Sequence, residues 1–281
     1  LPVNLSLAAE HAASPWLIGA VGLVGLLVGS FLNTVIHRLP RMLERAWRAE
    51  CAALEGREHS DDQTYNLAVP RSHCPHCAAP VRVQHLVPLL SWLWLKGRGA
   101  SISARYPATE ALTAVLFAVC AWRFGADISL FAALVLTGFL VALACIDFET
   151  HYLPDQLTLP LLWIGLAFSL VGDGEPFPLG PRDALLGAIV GYLSLWIVHH
   201  LFKRFTGKDG MGYGDFKLLA ALGAWLGLQA LLPIIFLAAL AGAVVGLVLI
   251  MAFGRTREAP IAFGPYLALF GWLLLVVGGR G

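Results

Sequence analysis

Two aspartates sit at the ends of apolar segments, one in Ala144-Cys145-Ile146-Asp147-Phe148-Glu149 and one in Gly212-Tyr213-Gly214-Asp215-Phe216-Lys217. A carboxylate is costly in hydrocarbon, so it normally faces a bundle interior, a water-filled cavity or the interface. Two carboxylates brought together share one proton, because close like charges repel. The ionised member can then activate water while the protonated one polarises a peptide carbonyl. The chemistry this suggests is hydrolysis at a membrane surface. The residues leave two other readings open, in which each acid caps a helix or the two line an ion or solute pathway. Asp147 and Asp215 are 68 residues apart, so they form a pair only if their helices meet.

Neighbouring residues compete for these roles. Asp155 follows Pro154 at the start of an apolar segment and reads as a helix N-cap. Asp209 lies beside Lys208 in the glycine-rich stretch from Gly207 to Gly214 and reads as a solvated turn residue. Glycine frees the backbone for tight geometry and close approach. Gly212 and Gly214 are therefore expected to shape the approach to Asp215, with Gly214 leaving room beside it. Glu149 and Lys217 read as neighbours that tune the site.

The elements that must position these groups follow from composition. Of the 281 residues, 58% are hydrophobic and 13% charged, and the mean hydropathy is +0.73. Soluble domains carry about a quarter charged residues. This composition predicts an integral membrane protein. Stretches of about 17–25 apolar residues can each cross a hydrocarbon core of roughly 30 Å. They fall near 14–36, 107–124, 128–147, 156–172, 183–201, 216–232, 233–252 and 262–278. The expected fold is an all-α polytopic membrane protein with about eight transmembrane helices. The boundary between the sixth and seventh is set at Pro233, because proline lacks the amide proton a helix interior needs, and a tight turn is expected there. Long, uniformly apolar segments argue against a membrane barrel, whose strands alternate in polarity. Gly19, Gly22, Gly25 and Gly29 recur at helical spacing and would let a second helix approach the first closely. The first segment has no basic residue ahead of it and no small-residue cleavage site after it, so it is read as a retained span.

Charge sets the orientation. Sixteen of the 19 Lys and Arg fall in three places: ten between Arg38 and Arg105, four among Lys203, Arg204, Lys208 and Lys217, and two at Arg255 and Arg257. The positive-inside rule then places both termini outside and the 38–105 loop in the cytoplasm. Both aspartate motifs fall at the cytoplasmic face. The chain divides into a first helix with a short outside N-terminus (1–37), a cytoplasmic loop domain (38–106) and a seven-helix membrane core (107–281). The basic residues are spread over three loops and mixed with acids, and formal net charge is +1. Topology accounts for them, and no nucleic-acid partner is expected.

Within the loop, residues 41–55 read as an amphipathic helix at the membrane surface, and 56–72 as irregular. Residues 86–95 are apolar but too short to span simply. Cys74 and Cys77 form a Cys-x-x-Cys knuckle, half of a tetrahedral zinc site. Cys51, His73, His76 and His85 are the candidates for completing it. A redox pair or a reduced structural turn remain alternatives. Cys120 and Cys145 are read as core packing.

Taken together, these segments resemble the bacterial type IV prepilin peptidase and N-methyltransferase family, membrane aspartic proteases of the Gly-x-Gly-Asp type that serve type IV pili and type II secretion. The likeness is carried by Gly29 to Pro40, Arg71 to Cys77, Ser103 to Glu110, Asp147 through Asp155, and Gly207 through Lys217. It implies that Asp147 and Asp215 are the catalytic pair, supported by Gly212, Gly214, Lys217 and Glu149. It implies cleavage of prepilin and pseudopilin leaders at the cytoplasmic face of the bacterial inner membrane. Methylation of the new N-terminus with S-adenosylmethionine would follow. Many members carry a second Cys-x-x-Cys where this chain has Leu95 to Ile102, which leaves zinc at Cys74 and Cys77 in question. Gly97 and Arg98 match a basic glycine turn in the loop that the family associates with methyl transfer. Alternatives are a leader peptidase without methylation, like an archaeal preflagellin processor, and a proton-coupled transporter.

Overall fold

A computed structural model describes residues 14–56, 65–69, 105–171, 179–207, 210–254 and 262–278. Cys74, Cys77, Gly97, Arg98, the 86–95 segment and Asp209 lie outside the described residues. The described structure is all-α: α1 Pro15–Leu54, α2 Arg105–Phe124, α3 Ile128–Thr150, α4 Asp155–Ser169, α5 Pro181–Thr206, α6 Tyr213–Leu226, α7 Leu228–Phe253 and α8 Gly264–Gly278. Four of them, α1, α3, α5 and α7, are long and apolar enough to cross a membrane; α8 is apolar but has 15 residues. Many large apolar side chains are exposed, among them Leu23, Leu27, Phe131, Trp163, Phe236 and Met251. An exterior of that kind suits lipid and is rare on water-soluble monomers.

The chain divides into two compact units, residues 1–122 and 123–281. In the first, α1 is one helix of 40 residues with Pro40 inside it. At 1.5 Å per residue it is about 60 Å long, roughly twice a hydrocarbon core. The helix expected at 41–55 is present to Leu54, and it continues the first span without a break. Ser14 caps its start, its hydroxyl oxygen accepting from the Leu17 amide at 3.2 Å. A Cβ at Gly25 would lie 2.7 Å from the Ala114 Cα, and one at Gly29 would lie 2.8 Å from the Glu110 Cα. These two glycines let α2 approach the α1 backbone. Gly19, with open space around it, has no such role. Asn33 donates to the Tyr106 carbonyl at 3.0 Å, and Arg38 to the Asn66 carbonyl at 2.9 Å. At 65–69 the chain is irregular, as expected, and folded on an Asn66 turn whose side-chain oxygen accepts from the Ala68 and Val69 amides.

In the second unit the short helix α6 is central, packed by α4, α5, α7 and α8. Every residue from Leu218 to Trp225 is buried, so α6 presents almost nothing to lipid. Its closest neighbour is α5, where Gly187 and Gly223 face each other. A Cβ on either would run into the other's carbonyl oxygen. Small residues let the backbones touch, which is how helices gain van der Waals contact where hydrophobic burial offers little. Trp225 donates its indole N–H to the Leu161 carbonyl at 2.8 Å, and Gly165 accommodates its ring. Asp127 caps α3; the Ser129 hydroxyl, donating at 2.7 Å, is the main cause holding the Asp127 carboxyl below its usual range.

The turn expected at Pro233 lies elsewhere. The break between α6 and α7 is at Gly227, with φ 78° and ψ 177°, and Pro233 is inside α7. That backbone conformation is open essentially to glycine alone. Pro233 costs one intrahelical bond near the start of α7, which membrane helices tolerate.

These packing distances predict that Gly223→Ala destabilises the protein by about 1–3 kcal/mol through overpacking. Gly138→Ala, which would meet nothing within 4 Å in the interior of α3, should raise stability by up to about 1 kcal/mol. Thermal denaturation of both variants in detergent checks the contrast.

Candidate functional site

Four helix ends converge at one end of the second unit: the C-terminus of α3 and the N-termini of α4, α6 and α8. The convergence begins with His151, which caps α3 in the left-handed conformation at φ 55° and donates its amide to the Asp147 carbonyl at 2.8 Å. Histidine is among the non-glycine residues that accept this region. The turn it makes leaves Tyr152 half-buried and buries Leu153 and Pro154 before α4 starts.

Asp147 lies one turn before the end of α3 and is buried. Its Oδ2 accepts a hydrogen bond from the main-chain N–H of Gly264 at 2.9 Å. Asp215 lies in the first turn of α6, also buried, and its Oδ1 has no hydrogen-bond partner among the described residues. Leu153 lies against both Gly214, next to Asp215, and Gly264, whose amide holds Asp147, so the two carboxylates fall at the same end of the unit. Residues 68 positions apart are thus brought to one place in the fold.

The two motif glycines differ. A Cβ at Gly214 would lie 2.7 Å from the Leu153 Cβ, so only glycine lets α6 begin against that turn. Gly212 precedes α6 with φ −79° and ψ 149°, and the nearest atom to a Cβ there is Asp215 Oδ2 at 4.0 Å. Neither sterics nor backbone conformation demands glycine at 212.

Asp155 is the first residue of α4, not its cap; Pro154 holds the cap position and no side chain caps the helix. The Asp155 carboxylate instead accepts from Lys217 Nζ at 2.6 and 2.7 Å, pinning α4 to α6. Burial pushes the adjacent Tyr152 phenol above its usual value, and the Asp155 carboxylate adds to this. Glu149 is exposed on the last turn of α3. Two residues beyond Asp147 in a helix means about 200° of rotation, which carries it to the other side.

Reading the sequence did not find Leu153 or Gly264. The sequence signal for Gly264 is Phe263-Gly264-Pro265, a glycine and proline opening a helix. Among the described residues no group of three or more His, Cys, Asp or Glu could hold a metal ion, and Cys51 is exposed with a free thiol.

Two buried aspartates lie where α3 ends and α6 begins, and comparison with known proteins gives the family. The Type IV leader peptidase family matches residues 134–247, and the bacterial peptidase A24 N-terminal domain matches residues 23–124. The chain is 54% identical to a prepilin leader peptidase/N-methyltransferase of Aeromonas salmonicida (strain A449), over 94% of this chain and 92% of that protein. It is 47% identical to the protein of that name from Pectobacterium carotovorum subsp. carotovorum, over 94% of each. With the Pseudomonas aeruginosa protein of that name it shares 49% identity over 92% of this chain and 89% of the other. No solved structure matches. The chain belongs to the type IV prepilin peptidase/N-methyltransferase family.

The contrast between the motif glycines gives a prediction. Gly214→Ala should lower stability by about 1–3 kcal/mol because Leu153 must move. Gly212→Ala should change it by less than about 0.5 kcal/mol, as for an exposed site. Thermal denaturation of the purified variants measures both.

Proposed function

We propose that this protein is a prepilin leader peptidase with associated N-methyltransferase activity, in which Asp147 and Asp215 are the catalytic pair. The observation that carries the reading is the meeting of two buried carboxylates at the ends of α3 and α6, one held by a main-chain amide and the other with an unpartnered oxygen. The names of the relatives point to a prepilin leader as substrate, and pseudopilin leaders are proposed with it.

The pair carries one proton before reaction. Its ionised member takes a proton from water as the water oxygen attacks the scissile carbonyl carbon, and its protonated member gives a proton to the carbonyl oxygen. The resulting gem-diol collapses with cleavage of the C–N bond. A hydroxyl proton returns to the second carboxylate, and the first gives its proton to the leaving amine. The pair is restored with its single proton.

The proposed setting is the bacterial inner membrane, with all eight helices crossing the bilayer and the acid pair at the cytoplasmic face. The alternation of the second unit favours it: α3 runs toward the site end, α4 away, α5 back, α6 away, α7 back and α8 away. Lys203, Arg204 and Lys217 lie near this end, in keeping with the positive-inside rule. The helices α4, α6 and α8, at 14–15 residues, are only about 21–23 Å long. For α6, burial within protein removes the need to match the full hydrocarbon thickness. The 38–106 segment is proposed as the cytoplasmic loop domain.

S-adenosylmethionine is proposed as the methyl donor. Gly97 and Arg98, the residues proposed to meet it, lie outside the described residues, as do Cys74 and Cys77, the proposed half-site for zinc. No step is assigned through either group.

Asp147→Asn and Asp215→Asn are each expected to lower the rate of prepilin cleavage by at least about 10²–10⁴ while leaving the thermal unfolding profile in detergent unchanged. Near-normal cleavage by either variant would remove that residue from the pair. Mass measurement of the processed pilin, with and without S-adenosylmethionine, should show the addition of one methyl group only when the donor is present. Processed pilin of unchanged mass would leave peptidase activity alone.

A further inference from the structure

We infer that the main-chain N–H of Gly264 is a positioning group that fixes the division of labour within the acid pair, with Asp147 as base and Asp215 as acid. The inference rests on the reading of Asp147 and Asp215 as catalytic, and it concerns how they differ.

Three observations carry it. First, Gly264 donates to Asp147 Oδ2 at 2.9 Å, in a buried bond joining residues 117 positions apart. A donor of this kind favours the ionised carboxylate, which accepts on both oxygens. Second, Gly264 cannot carry a side chain there. A Cβ would lie 2.7 Å from Asp147 Oδ2, 3.2 Å from the carboxyl carbon and 3.2 Å from Leu153 Cδ1. Position 264 has an unremarkable backbone, since its φ is not among the positive values of the described glycines. Its need for glycine is therefore the carboxylate itself, which comes to rest where a methyl group would be. Third, the Gly212 main chain also acts as a donor to Asp215, but Asp215 Oδ1 is buried with no donor among the described residues and neither oxygen of Asp147 is so placed; a buried orphan oxygen favours the neutral carboxyl. The acid with a buried oxygen that no donor reaches is the one placed to carry the shared proton.

Pro265 follows Gly264, and α8 opens at this point. The amide that reaches Asp147 is thus one of the first in the helix, which has no intrahelical acceptor of its own. Asp147 satisfies it from a different helix. In the reaction sequence above, Asp147 takes the proton from water through the oxygen that Gly264 does not hold. Asp215 protonates the carbonyl oxygen.

Two variants of the full chain in lipid nanodiscs test the inference against cleavage of a purified prepilin. Gly264→Ala puts a methyl group against the carboxylate. Replacing residue 264 by glycolic acid during in vitro translation turns the donating amide into an ester and adds no atoms. Loss of a hydrogen bond to a charged group is expected to lower kcat by about 10- to 100-fold in the glycolate form. KM should stay within about 2-fold, because the group does not touch substrate. Gly264→Ala should lower kcat at least as far. A glycolate form with wild-type kcat, or one in which KM rises while kcat holds, overturns the inference. Should Gly264→Ala fail to fold, the glycolate form decides alone. If Asp147→Asn and Asp215→Asn abolish cleavage while the glycolate form is fully active, only the role of Gly264 falls. If either Asn variant remains active, the pairing itself falls.

Discussion

Leu153 is the side chain around which the site is assembled. It is buried in the short turn between α3 and α4, and its atoms meet two glycines from separate helices. The space a Cβ would take at Gly214 is filled by Leu153 Cβ, and Leu153 Cδ1 lies in contact range of a Cβ at Gly264. One apolar side chain thereby sets how closely α6 and α8 approach the end of α3, and so where Asp215 and the Gly264 amide fall relative to Asp147. The wedge works because interiors are close-packed and transmit small displacements. It also depends on His151, whose left-handed backbone lets α3 stop one turn after Asp147 and turn Leu153 inward.

The ion pair between Asp155 and Lys217 acts at the same level. Lys217 is the basic residue nearest to Asp215 in sequence, yet its ammonium is held by both oxygens of Asp155. Two residues along a helix place Lys217 on a different face from Asp215, and the Asp155 carboxylate fixes it there. A lysine paired directly with Asp215 would favour its ionised form and oppose proton sharing. With side chains 28% and 45% exposed, the pair contributes little to stability, as is usual for accessible ion pairs. Its consequence is for position and charge.

How much of this was legible in the sequence depends on the range over which each feature is encoded. Apolar length is local, so the helical membrane character and most helix positions follow from composition, and the carboxylates stand out because charge is scarce. Pro233 is a strong local signal for a break, but the conformation that turns the chain between α6 and α7 belongs to Gly227. The change of polarity at 41–55 marks a helix at the water interface, but not that its hydrogen bonding continues unbroken from the first span. Gly214 was legible as a close-approach residue. Leu153 and Gly264 were not, since their importance lies in what they touch across 61 and 117 residues, and no local pattern marks a leucine as a wedge.

A backbone amide is a fitting donor for a carboxylate in this setting. A buried cation opposite Asp147 would carry its own desolvation cost, which often exceeds the attraction it supplies. It would also neutralise the pair, removing the repulsion that makes two acids share one proton. A main-chain N–H adds no net charge and has no side-chain entropy to lose, and at the start of α8 it needs an acceptor in any case. The donor bonds the carboxylate without bringing a charge of its own. Glycine at 264 follows from the same geometry: a donor can come this close to a carboxylate from the first turn of a helix only if nothing projects from its own Cα into the space the carboxylate occupies.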